Sequence, residues 1–262
     1  DLSMLLHVLL LLPVVTAWSS GARLLRVAAH QPQALFINAA VQRSTLLLCD
    51  DPPAPNAAPP LPATAFCFSP GGLLFPYYVG LAYELRRVGA LTPTTPLGGS
   101  SAGAIVATAL ACELSEEEVY AALQRLVLDY RQGGVSLNVV LRRQLWQLLP
   151  DDAAERLTAA GRLTVCYQQL LPWPRSCCVQ SWSSKGDLID VIAASCCFPF
   201  YFSRWPCVWV RGGLGVDGYF ARPRAEFGTP ALAAARTVKV TALPRVRIAP
   251  AAGLVQPGGR AG

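Results

Sequence analysis

The chain has 262 residues, 53% hydrophobic and 15% charged, with a formal net charge of +6 at pH 7. That length suits one domain, or one domain with an N-terminal appendage. The apolar bias excludes an intrinsically disordered protein, and 21 Gly with 22 Pro but no triplet period exclude a collagen. Arg supplies 20 of the 22 cations, and no run of them forms a patch. No nucleic-acid partner is expected, because a binder clusters its cations on one face; an anionic lipid surface suits the balance as well. Nine cysteines are too few for a disulfide scaffold, their number is odd, and no C-x-x-C occurs. They read as small buried apolar residues. With only His7 and His30 to join them, no metal and no cofactor are expected.

In chain order, Met4 to Trp18 is apolar apart from His7 and Thr16, too short for a comfortable span and interrupted by Pro13. With Val15-Thr16-Ala17 after it, this stretch resembles a signal-peptide core and cleavage site, though no positive segment precedes it. The next thirty or so residues carry Arg23, Arg26 and Arg43 and no acid, the composition of a transit peptide. Residues 1–49 are therefore expected to be a leader addressing the secretory pathway or a plastid. The other reading is an amphipathic extension on a cytoplasmic or membrane-associated protein. Residues 50–63 fall in a stretch with six prolines and read as a semi-rigid linker, residues 64–243 as the folded domain, and 244–262 as a disordered tail.

Within the domain, Ala63–Phe68 reads as a buried strand that ends in Ser69-Pro70-Gly71-Gly72. A helix follows from Leu74 to Val88, with Gly89 as its stop, and a second, apolar on all sides, from Ala104 to Cys112. Ser115-x-x-Glu118 predicts a capping box, followed by an inner face of Val119, Leu123, Leu126, Val127 and Tyr130. Another helix is expected over Leu137–Leu149, and one near Asp187–Cys196. Strand-like runs recur at Leu163–Leu170, Cys177–Trp182, Cys207–Arg211 and Thr237–Leu243. Strands alternating with helices predict an α/β sandwich around a mixed or parallel sheet.

Gly99-Ser100-Ser101-Ala102-Gly103 is a G-x-S-x-G that chance alone would give in about one such sequence in ten. Its context is more specific, because a turn precedes it and a wholly apolar helix follows, as in a nucleophile elbow. Glycines flank the serine because side chains there would collide at so sharp a turn. Ser101 sits centrally, whereas Ser100 has Ala102 at its +2 position and fits worse. No His occurs from Asp50 to Gly262, which disfavours a Ser-His-Asp triad and leaves Asp, Glu, Lys or Tyr as the base. The best candidate is Asp217, before Gly218, presented by a glycine-rich loop after a strand; an acid before Gly is also an ordinary turn residue.

These features together resemble the patatin-like phospholipases over about residues 64–243. The glycine-rich loop precedes a helix, G-x-S-x-G comes roughly thirty residues later, and Asp-Gly more than a hundred beyond. Ala194-Ser195-Cys196-Cys197-Phe198-Pro199 also resembles that family's A-S-x-x-x-P segment. The resemblance implies a three-layer α/β/α sandwich with a central mixed, mostly parallel sheet. It implies a lipid acyl hydrolase, of phospholipase A or acylglycerol lipase type, acting through a Ser-Asp dyad and an acyl-enzyme. Ser101 would be nucleophile, Asp217 base, and the backbone N–H groups of Gly71 and Gly72 the oxyanion hole. Lipid acyl esters would be substrates, met at a membrane or lipid-droplet surface. Two departures stand out: no basic residue follows Gly71-Gly72, and the small residue that the family has after Asp-Gly is here Tyr219. They keep open a catalytically impaired domain that only binds lipid or membrane.

Overall fold

The structure, a computed structural model, describes residues 62–243. The expected leader, all of the linker before Pro62 and the expected tail lie outside the described residues. Strand β1 (Thr64–Phe68) alternates its side chains between two environments. Phe66 and Phe68 enter the large apolar core, whereas Ala65 and Cys67 pack on the opposite face against Leu232 and Ala234. After a 3-10 turn at Gly72–Leu74, α1 (Phe75–Arg87) starts with Pro76 in its first turn, where the missing N–H costs nothing. Gly89 ends that segment in a left-handed conformation, as its place in the sequence predicts. Strand β2 (Leu97–Gly99) then leads into α2 (Ala102–Ala111), which is buried along nearly its whole length.

Ser115 and Glu118 form the predicted capping box at the start of α3 (Glu116–Arg131), each side chain taking the other's backbone N–H. Such a cap is worth about 1 kcal/mol. The expected inner face holds through most of its length, with Val119 buried and Leu126 packed on the core, but Tyr130 at its end is half exposed. Next come α4 (Leu137–Leu148) and α5 (Ala153–Ala160), the latter closed by Gly161 in the left-handed region. Strands β3 (Leu163–Leu171) and β4 (Arg175–Val179) form a hairpin, and α6 (Lys185–Ser195) follows, with Ser184 accepting from Asp187 N–H as its cap. Two short strands, β5 (Val208–Val210) and β6 (Gly213–Val216), and a final β7 (Arg236–Val240) complete the sheet.

The seven strands form one mixed sheet in the order β5-β6-β3-β2-β1-β7, with β4 also pairing β3. Strands β3, β2, β1 and β7 run parallel, and β4, β5 and β6 join antiparallel. This is the α/β arrangement with a mixed sheet that the sequence predicts. Helices α1 to α6 contribute to one cluster with Phe66, Phe68, Leu163, Val165 and Tyr167, so that burial rather than propensity holds them on the sheet.

Three local expectations change. Leu97–Gly99, read as a turn, is a strand. Gly213–Val216, read as a glycine-rich loop, is also a strand, and Asp217 follows it directly. Cysteines do more than fill space, because Cys166 and Cys178, opposite one another on β3 and β4, form a disulfide. Among the described residues, Cys67, Cys112, Cys196 and Cys197 are free and buried, as expected, while Cys177 and Cys207 are half-buried.

Candidate active site

The pairing registers alone bring the serine and the acid together. Strands β2 and β4 both pair with Val165, and β4 and β6 both pair with Gln168, so β2 and β6 share one edge of β3. Strand β2 runs parallel to β3 and ends with Gly99 opposite Val165; β6 runs antiparallel and ends with Val216 opposite Gln168. The two chains therefore approach Cys166 and Tyr167 from opposite directions. The residues that follow, Ser100-Ser101 and Asp217, enter the same gap.

At Ser101 the backbone turns sharply, with φ 55° and ψ −129°, a conformation that L residues rarely adopt. The flanking glycines make it feasible. A Cβ on Gly99 would lie 2.3 Å from the Gly103 carbonyl, and a Cβ on Gly103 would lie 2.1 Å from the Phe68 carbonyl oxygen of β1. Ser101 N–H donates to Ser195 Oγ (2.9 Å), whose own hydroxyl donates to the Cys166 carbonyl (2.6 Å). Ser195 thus ties the elbow to β3, a role its sequence motif marks without explaining. Ser100 is also fully buried, and its Oγ donates to the Gly228 carbonyl at 2.6 Å. It is a structural clamp, which leaves Ser101 as the serine with a reactive setting. Ala102, next in the motif, is the first residue of α2 and stands at the helix's positive end.

Asp217 is 1% exposed and accepts a hydrogen bond from Tyr219 N–H (2.8 Å), and the Ser101 side chain, a second donor, also acts on its carboxyl. Its own N–H donates to the Cys197 carbonyl (2.9 Å). Burial raises its carboxyl from 3.8 to about 7, against the opposing pull of those two donors. Gly218 must be glycine, because a Cβ there would lie 2.3 Å from the Cys166 carbonyl oxygen and 2.6 Å from Ser100 Cβ. Tyr219, the departure from the small residue after Asp-Gly, leaves this geometry intact. Its ring packs edge-on to Phe220 and Phe227, and only its N–H engages the acid.

Gly71 and Gly72 lie just beyond β1, beside the elbow: Ser100 N–H donates to the Phe68 carbonyl, and Gly103 packs against Phe68 and Ser69. The two glycines are needed for different reasons. Gly72 has φ +52°, whereas a Cβ on Gly71 would lie 2.5 Å from the ring of Tyr78. Tyr78, fully buried on α1, binds Ser69 Oγ (2.8 Å) and accepts from Ala242 N–H (3.0 Å). It holds the glycine loop to the ends of both β1 and β7, a role nothing in its sequence context signals. Among the described residues, no backbone carbonyl takes the N–H of Gly71 or Gly72, and no cluster of His, Cys, Asp or Glu has the form of a metal site. No helix among them is long and apolar enough to cross a membrane.

The family model described as Patatin-like phospholipase matches residues 66–227. No curated protein matches the chain. Among solved structures, that of VipD from Legionella pneumophila is similar over 70% of this chain and 50% of its own, with 14% identity and a TM-score of 0.44. The chain thus spans half the length of that protein.

Proposed function

The chain belongs to the patatin-like phospholipase family, and on that premise we propose that it hydrolyses lipid acyl esters through Ser101 and Asp217. The observation that carries the reading is the convergence of the Ser101 elbow on Asp217, a buried carboxyl whose basicity burial has raised and on which the Ser101 side chain acts. Ser101 Oγ attacks the ester carbonyl carbon while its proton passes to Asp217. The carbonyl oxygen becomes an oxyanion, met by the N–H groups of Gly71 and Gly72 and by the positive end of α2. Collapse of this intermediate breaks the bond to the alcohol, which leaves with the proton from Asp217, and an acyl-Ser101 remains. Water then attacks the acyl carbon, gives its proton to Asp217, and a second collapse releases the fatty acid and returns the proton to Ser101. A carboxyl near pH 7 suits both directions of transfer, since a base much weaker would not deprotonate a hydroxyl. Phospholipid or acylglycerol esters presented at a membrane or droplet surface are the substrates this reading implies.

Labelling with a fluorophosphonate probe tests it. The wild-type protein should label, and Ser101→Ala should neither label nor turn over a short-chain ester. Residual turnover above about a hundredth of wild type would show that Ser101 is not the nucleophile.

A further inference from the structure

Between α6 and β5 the chain runs Cys197-Phe198-Pro199-Phe200-Tyr201-Phe202-Ser203-Arg204-Trp205, and most of these rings face solvent rather than the core. Phe200 is 75% exposed and Trp205 76%, with Phe198 and Tyr201 more than two-fifths exposed. Phe198 stacks at 5.5 Å on Phe220, another exposed ring, only three residues beyond Asp217. Ordinary surfaces scatter such residues singly, and a contiguous set marks a binding face.

This loop is held in place. The Cys197 carbonyl accepts from Asp217 N–H and the Phe202 carbonyl from Asn138 N–H at the start of α4. Phe202 itself is buried, and Ser203 closes the far end through bonds to both the carbonyl and the N–H of Trp205. Phe200 lies at φ 62°, a conformation that bulky residues avoid, and its ring stays outside the core all the same. The fold therefore presents the rings in a fixed arrangement beside the acid of the site.

Charge points to the occupant. From Cys196 to Ala225 the only carboxylate is the buried Asp217, while Arg204 and Arg224 are exposed in the same stretch, and the next acid, Glu226, is held by Arg222. Aromatic rings with exposed cations and no exposed acid in the same segment fit an anionic bilayer, in which rings enter the headgroup boundary and guanidinium groups meet phosphates. A protein partner would gain equally from the rings but has no need of an acid-free segment around them.

We propose that the Phe198–Trp205 loop, with Phe220, is the face on which this protein docks to anionic lipid membranes, setting the Ser101–Asp217 gap at the bilayer surface. The proposal rests on the acyl-ester hydrolase reading, so its test includes an arm that needs no catalysis. In a Ser101→Ala background, the full chain is sedimented with vesicles of phosphatidylcholine, with or without phosphatidylglycerol. The parent should bind the anionic vesicles more tightly, and Phe200→Ser/Trp205→Ser should weaken that binding about tenfold or more. Arg204→Gln should weaken it on phosphatidylglycerol vesicles and not on phosphatidylcholine alone. With Ser101 restored, the double variant should lose hydrolysis of vesicle lipid at least about tenfold more than hydrolysis of a soluble short-chain ester. Unchanged sedimentation of the double variant would overturn the proposal. So would a parent that ignores vesicles but forms a dimer the double variant lacks, since a second copy would then be the occupant. If sedimentation behaves as expected while no ester is cleaved, docking stands and the hydrolase reading falls.

Discussion

Burial lifts the Asp217 carboxyl from 3.8 to about 7, so near neutral pH the proposed base is divided between its two forms. Only the ionised form can accept the Ser101 proton, and the rate should therefore rise with pH through about 7 and level off above it. Stability carries the opposite sign. The folded state holds this proton more tightly than the unfolded chain does, so stability is lost as pH rises from about 4 to about 7. A rise of that size sets an upper bound of about 4 kcal/mol on the loss. Asp217→Asn keeps an acceptor for Tyr219 N–H but cannot ionise. It should lose roughly 10²–10⁴-fold in rate, yet resist urea better than wild type at pH 8, with the advantage shrinking towards pH 5. Equal denaturation midpoints at pH 8 would mean that Asp217 is not held as a desolvated base.

Element by element, the parts with one clear period or one stop residue were legible in the sequence: β1, α1 up to Gly89, α2, the Ser115 cap and β3. The Ser101 elbow was legible too, because Gly99 and Gly103 are demanded by collisions with Gly103 and with Phe68 of β1. Adding one methyl group at Gly103 must push α2 off β1, so Gly103→Ala should unfold or inactivate the protein; a variant that melts within a few degrees of wild type would contradict this close packing. What stayed hidden has physical causes. Strand β2 is three residues long, too short to show alternation. Strand β6 is rich in glycine because a Cβ on Gly213 would meet the Leu171 carbonyl oxygen at 2.3 Å and one on Gly215 would meet Val210 at 2.7 Å, so tertiary crowding overrides strand propensity. The Cys166–Cys178 pairing depends on hairpin register, which spacing alone does not reveal. Ser195 is a positioning residue that its motif marks but whose role cannot be read without β3: its loss leaves Ser101 N–H and the Cys166 carbonyl without their buried partner. Ser195→Ala should lower stability by about 1–3 kcal/mol and cut kcat well beyond any change in KM. A normal kcat in a protein that merely melts earlier would reduce Ser195 to a packing role.

For the whole molecule, the proposed site draws on Gly71-Gly72 after β1, Ser101 after β2, Cys166 on β3, Ser195 at the end of α6 and Asp217 after β6. None of these reaches the gap without the sheet, so catalysis should be lost together with global unfolding rather than before it. The disulfide falls on the same strand: Cys166 is bonded to β4 through its sulfur and accepts from Ser195 through its carbonyl. Chain contacts divide the protein into Asp1–Pro59 and Pro60–Gly262, and every residue of the proposed site lies in the second unit. A domain normally carries its own core and folds on it, and β1, which pairs with both β2 and β7, begins only at Thr64. A protein starting at Pro60 should therefore unfold cooperatively and cleave a soluble short-chain ester at a rate within a few-fold of the full chain. Circular dichroism melts and ester turnover on the two proteins side by side check this. A truncated protein that folds but is inactive would place a missing catalytic group in the first unit, where His7 and His30 both lie, and would reopen the choice of base.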